Sequence, residues 1–152
     1  MKECGVSMIA IGSDHGGLNI KKSIVNYLKK HNIDYKDFGT DTEESVDYPM
    51  FAKNVANSVA LGEYELGVLC CGTGIGMSIA ANKVDGIRAA LCNDEFCAEM
   101  SRKHNNANIM CIGGRIVSPE EAVVIFEKFI NTDFEGGRHQ KRVEQIMNLE
   151  NK

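Results

Sequence analysis

Short apolar runs that alternate with segments of helical period constrain this chain more than any other feature. SMIAIG (Ser7–Gly12), ELGVLCC (Glu65–Cys71), GIRAALC (Gly86–Cys92) and NIMCIGG (Asn108–Gly114) are such runs. Between them, apolar residues recur at helical spacing, as in Ile20, Ile24 and Leu28, or Phe51, Val55 and Val59. Strands that alternate with amphipathic helices predict a parallel sheet, because each parallel strand needs a crossover to return the chain to the same end. IDYKDFG (Ile33–Gly39) reads as a weaker strand near an edge. The expected fold is therefore α/β, a doubly wound, five-stranded parallel sheet flanked by helices in the Rossmann-like manner.

Helices are expected over Leu18–His31, after Asp47-Tyr48-Pro49, over Ile75–Lys83 and over Asp94–His104. Another opens at Ser118-Pro119, where Glu121 completes a capping box. A last helix, Arg138–Asn148, follows Gly136-Gly137 and carries Val143, Ile146 and Met147 on one side. Such a terminal stripe closes onto its own sheet or crosses to a partner subunit, and the sequence favours neither. With no repeat, linker or low-complexity tract, residues 1–152 read as a single domain.

At 43% apolar and 25% charged residues, the chain has the composition of a folded globule. Its net charge of -4 gives no general attraction to nucleic acid. No apolar run reaches the roughly 18 residues of a membrane span, and no signal peptide is read at the start. Six cysteines without a leader point to a reducing cytoplasm. They include no C-x-x-C pair, and no H-x-x-x-H occurs, so no metal is expected.

Open parallel sheets bind ligands beyond the carboxyl ends of their strands. Two polar clusters directly follow strands: GSDHGG (Gly12–Gly17) and CGTGIG (Cys71–Gly76). A third, HNNAN (His104–Asn108), closes a helix before the last strand. Glycines at 72, 74 and 76 let successive N–H groups turn inward as an anion-holding nest, helped by the following helix N-terminus. The spacing is G-x-G-x-G after the third strand, which is neither the dinucleotide fingerprint nor a P-loop.

A thiol at the lip of such a turn has two readings. Amide dipoles favour a thiolate, which makes Cys71 a soft base or nucleophile, and the same amides suit an oxyanion on the ligand. Alternatively, Cys71 fills space under the turn. Cys70 points to the opposite face of the strand and reads as core. Thr73 as a turn residue, Asp14 as a helix cap, His15 as an incidental loop residue and His104 as a helix C-terminal cation each have a plain structural reading too. Arg138 and Arg142 share one helix face at i, i+4 and suit either a phosphate or open solvent. It is the joint placement of these groups at strand and helix ends that favours a site.

Taken together, IGSDHGG, DYP, CGTGIGMSIAANK, GIRAALC, SRKHNNAN and EGGRHQKRV cover nearly the whole chain, which resembles the B-type ribose-5-phosphate isomerases and their galactose- and allose-6-phosphate relatives. The resemblance implies cofactor-free interconversion of ribose 5-phosphate and ribulose 5-phosphate. Cys71 would move a proton between C1 and C2 through a cis-enediolate, held by the backbone of Gly72, Thr73, Gly74, Ile75 and Gly76. His104 would serve in acid/base work and ring opening, with Thr73 and Asp14 as helpers. It further implies that Asp14, His15 and Asn105 bind hydroxyls or phosphate, that Arg138 and Arg142 clamp the phosphate, and that Tyr48 lines the pocket. Family sites are shared between two subunits, so a homodimer or dimer of dimers is implied, with His104, Asn105 and the arginines supplied by the partner. One branch replaces the cysteine by a glutamate after the turn. That later position is Met77 here, so this chain fits the cysteine branch, and Cys70 departs from the aliphatic residue expected beside it. Three alternatives stay open: the same chemistry on a six-carbon sugar phosphate, a phosphosugar-binding module without catalysis, and a thiol-redox protein. The last is disfavoured because adjacent strand cysteines face opposite ways.

Overall fold

A computed structural model describes residues 8–151; Cys4 and the first residue of the SMIAIG run lie outside them. Five strands, β1 (Met8–Ser13), β2 (Asp34–Asp37), β3 (Leu66–Cys71), β4 (Ala89–Leu91) and β5 (Ile109–Gly113), form one sheet in the order β2-β1-β3-β5-β4. All neighbours are parallel. Six α-helices accompany them: α1 (Leu18–Lys30), α2 (Tyr48–Ala60), α3 (Ile75–Ala81), α4 (Glu95–Asn105), α5 (Pro119–Ile130) and α6 (Arg138–Asn148).

Side-chain alternation along the strands builds two apolar layers. Ile9, Ile11, Val68, Cys70, Met110 and Ile112 pack against α1, α4 and α5. Ala10, Leu69, Cys71, Ile109 and Cys111 pack against α2 and α3. The stripes expected from sequence are the ones buried: Ile20, Ile24 and Leu28 on α1, and Phe51, Val55 and Val59 on α2. Each fully buried aliphatic side chain stabilises the fold by about 1.5–3 kcal/mol.

Helix ends follow local chemistry. Ser118 Oγ accepts the Glu121 N–H at 3.1 Å, and the Ser118 N–H donates to Glu121 Oε2 at 3.2 Å, which is the expected capping box. Two sequence boundaries shorten. The GIRAALC run pairs only over Ala89–Leu91, because Gly86 sits at φ +89° and the Ile87 N–H turns back to the Val84 carbonyl. The helix expected to Lys83 ends at Ala81, where the Asn82 side chain closes the last turn on the Ser78 carbonyl and bonds the start of β4.

Helices leave β1 and β3 toward opposite faces, and so do those after β3 and β5. The carboxyl end of β3 therefore lies between two reversals of winding, where a doubly wound sheet opens a crevice. One buried cation secures the rim. Lys21 of α1 sends Nζ to Asp37 Oδ1 at 2.9 Å and to the Thr40 carbonyl, tying α1 to the connection between β2 and α2. Helix α6 has a slighter attachment, resting on α4 with only His139 and Val143 buried.

Candidate active site

The last residue of β3 is Cys71, and the chain then turns through Gly74 at φ +82°, a backbone conformation that favours glycine. This turn aims the Gly74 N–H at Cys71 Sγ, 3.0 Å away. An N–H donated to sulfur stabilises negative charge there. Cys71 keeps 5% exposure, whereas Cys70 and Cys111 have none. Burial pushes Cys70 and Cys111 far up and Cys92 to about 12, while desolvation followed by the Asp94 carboxylate raises Cys97.

Thr73 Oγ1 accepts the Ile75 N–H at 3.2 Å, so it shapes the turn from an exposed position. The N–H groups of Gly74 and Ile75 are thus already engaged, which narrows the five-residue backbone cradle expected from sequence. Gly76 admits a close approach: a β-carbon there would stand 2.5 Å from Tyr48 Cζ, so the Tyr48 ring lies directly against the turn.

The loop after β1 closes the other side. Asp14 is buried, and its Oδ1 accepts the Gly17 N–H at 3.1 Å. His15 Nδ1 accepts the Val46 N–H at 3.2 Å, which leaves Nε2 to carry the proton in the neutral ring. His15 also lines a cavity of about 430 Å³ with Gly16, Asn19, Lys22, Glu43 and Arg115.

Two residues that sequence reasoning missed belong to this end of the sheet. The Arg115 guanidinium packs over Gly72, its Nη1 only 3.2 Å from where a β-carbon would stand, and links the thiol turn to the cavity. Asn93, after β4, donates to the Thr73 carbonyl at 3.0 Å and accepts the Gly113 N–H at 2.8 Å, bridging the turn to β5. Neither stands in a recognisable motif. The signal was positional, since both directly follow strands.

The remaining candidates lie elsewhere. Helix α4 starts beyond β4 and runs back about 16 Å to the amino end of the sheet. It carries His104 and Asn105 away from Cys71. Asn105 borders a cavity of about 690 Å³ with Arg88, Ile146 and Leu149. The His104 ring stacks on His139 with centroids 4.2 Å apart, and exposed Arg138 and Arg142 stand on the same helix as His139. Burial first, then His104 and Arg138, lowers the His139 pKa. One chain therefore gathers Cys71, Thr73, Asp14, His15, Tyr48 and the glycine turn at one pole, and His104, Asn105, Arg138 and Arg142 at the other.

A doubly wound sheet with a glycine-held thiol, a buried carboxylate and an arginine at its switch point defines an α/β protein built to act on a small molecule at its strand ends. The chain belongs to the Ribose/Galactose Isomerase family, whose model matches residues 9–146, and it is a sugar phosphate isomerase of that family. It is 46% identical over 142 residues to ribose-5-phosphate isomerase B of Escherichia coli, covering 93% of this chain and 95% of that protein. The ribose-5-phosphate isomerase B structure from Clostridium thermocellum superposes with a TM-score of 0.93 at 50% identity, covering 95% of this chain and 97% of that one. The Mycoplasma genitalium enzyme, solved with bound ribulose-5-phosphate, gives 0.92 at 42% identity, again over 95% and 97%. No helix among the described residues is long and apolar enough to cross a membrane.

Proposed function

We propose that this chain, as one domain, interconverts ribose 5-phosphate and ribulose 5-phosphate in a homodimer with shared sites. The observation that carries the reading is the Cys71 sulfur at the open end of β3, receiving the Gly74 N–H at 3.0 Å. The partner's copy of the His104 imidazole takes the C1 hydroxyl proton of the furanose and delivers one to the ring oxygen. This opens the sugar to its aldehyde. The Cys71 thiolate then removes the proton from C2. The C2–H electron pair forms the C1–C2 double bond, and the carbonyl pair moves onto O1. Backbone N–H groups of the turn hold that charge, with Thr73 and Asp14 assisting. A proton passes from O2 to O1, the thiol returns its own to C1, and C2 becomes the carbonyl.

Substrate is held by Asp14, His15, Tyr48 and the partner's Asn105, with Arg138 and Arg142 of the partner on the phosphate. Arg115 joins this set through its place beside the turn and the His15 cavity. The test offers purified protein ribose 5-phosphate, allose 6-phosphate and galactose 6-phosphate with chelator present and compares kcat/KM. The five-carbon substrate should lead. Cys71→Ala should lower kcat by about 10³-fold with binding retained, as expected for loss of a general base. Undiminished turnover in that variant, or preference for a six-carbon sugar, would overturn the reading.

A further inference from the structure

Away from the carboxyl-end turn, three side chains converge from two segments. His104 in the last turn of α4, Glu135 in the loop before α6 and His139 in the first turn of α6 each bring one donor atom within 4.8 Å of the others. Their backbones are tied together. The Glu135 N–H donates to the Lys103 carbonyl at 3.1 Å, and the His139 N–H to the Gly136 carbonyl at 3.0 Å. Glu135 Oε2 already stands 3.6 Å from His139 Nε2.

We propose that His104, Glu135 and His139 form an inhibitory site for a divalent transition-metal ion such as zinc or cobalt. Two imidazoles and one carboxylate are a donor set these ions favour, whereas calcium and magnesium require oxygen cages. With metal–ligand bonds of about 2.0–2.2 Å, tetrahedral donors stand roughly 3.3–3.6 Å apart. The widest gap in the cluster must close by up to about 1.2–1.5 Å, and half of the Glu135 side chain is exposed and able to swing. The imidazoles lie 12° from parallel, so one ring turns about its soft Cβ–Cγ torsion to bring both lone pairs onto the ion. Arg138 and Arg142, beside His139, oppose a cation, and the Glu135 carboxylate offsets them. An ion here occupies the lone pair of His104. Inhibition therefore rests on the acid/base role proposed for His104; binding does not.

The test titrates the Cys71→Ala protein, which lacks the competing thiol of the turn, with Co²⁺ alone. Equilibrium dialysis should find one ion per chain. The visible spectrum should show nitrogen and oxygen ligation without a sulfur-to-cobalt charge-transfer band. Losing an outer-shell partner costs 10–100-fold in metal affinity, so replacing a ligand by Glu135→Gln should weaken binding by at least about tenfold. Glu144→Gln on the same helix should leave it unchanged. With Cys71 intact, Glu135→Gln should retain basal turnover and lose chelator-reversible inhibition by Zn²⁺. Equal Co²⁺ affinity in the Glu135→Gln protein, no bound ion in the parent, or a sulfur-ligated spectrum would each overturn the site. Co²⁺ bound as expected by the Cys71→Ala protein, with no isomerase turnover in the protein that keeps Cys71, would sink the functional reading and keep the site.

Discussion

At the scale of single residues, the site depends most on Gly74. Its positive φ and its N–H to Cys71 Sγ are one feature, since only that backbone turn points the donor at sulfur. A β-carbon there would meet Leu91 Cδ1 at 2.6 Å and the Ile112 backbone at 3.0 Å. Gly74→Ala should cost about 2–3 kcal/mol, read from thermal melts, through backbone strain plus overpacking. It should also lower kcat by about 100-fold with little change in KM, the usual scale for a lost charge-stabilising donor. The turn was legible because glycine spacing and a strand-end cysteine are sequence patterns. Arg115 and Asn93 were not, because their importance comes from β5 and β4 lying where they do.

Elements differ in how firmly they hold these residues. Lys21 is buried on α1, yet it acts on the connection between β2 and α2, which also carries Val46 against His15 and leads into Tyr48. Lys21→Ala removes the cation shared by Asp37 and the Thr40 carbonyl, leaving the Asp37 carboxylate only the Gly39 N–H as a donor among the described residues. Because Asp37 still reaches water, the loss should fall near the low end for a broken buried pair, about 3 kcal/mol by urea denaturation. KM should rise with it, as Tyr48 loses its footing. In the sequence Lys21 lies off the stripe of Ile20, Ile24 and Leu28, and nothing there marks it as buried. Periodicity places a residue on a helix face but does not show which loop folds over that face. Helix and strand identities were readable from period, whereas β4 lost its first residues to a glycine turn that local propensity does not encode. The place of β5 between β3 and β4 was equally hidden, since strand order depends on which crossover reaches past which neighbour.

For the whole molecule, what matters is the distance between the two groups of site residues. The thiol turn and the His104 cluster occupy opposite ends of one sheet, so the chemistry proposed above requires two chains. Mixing Cys71→Ala chains with His104→Ala chains, each inactive alone, should recover roughly a quarter of wild-type turnover after dissociation and reassociation. Half of a random mixture pairs unlike chains, and each such pair holds one intact site. Absence of recovery despite exchange, shown by mass, would place both groups in the same chain's site. If the sites are shared as proposed, the same separation makes catalysis a matter of encounter. Specific activity should then fall on extreme dilution as pairs come apart, and a newly made polypeptide should stay idle until it finds its twin.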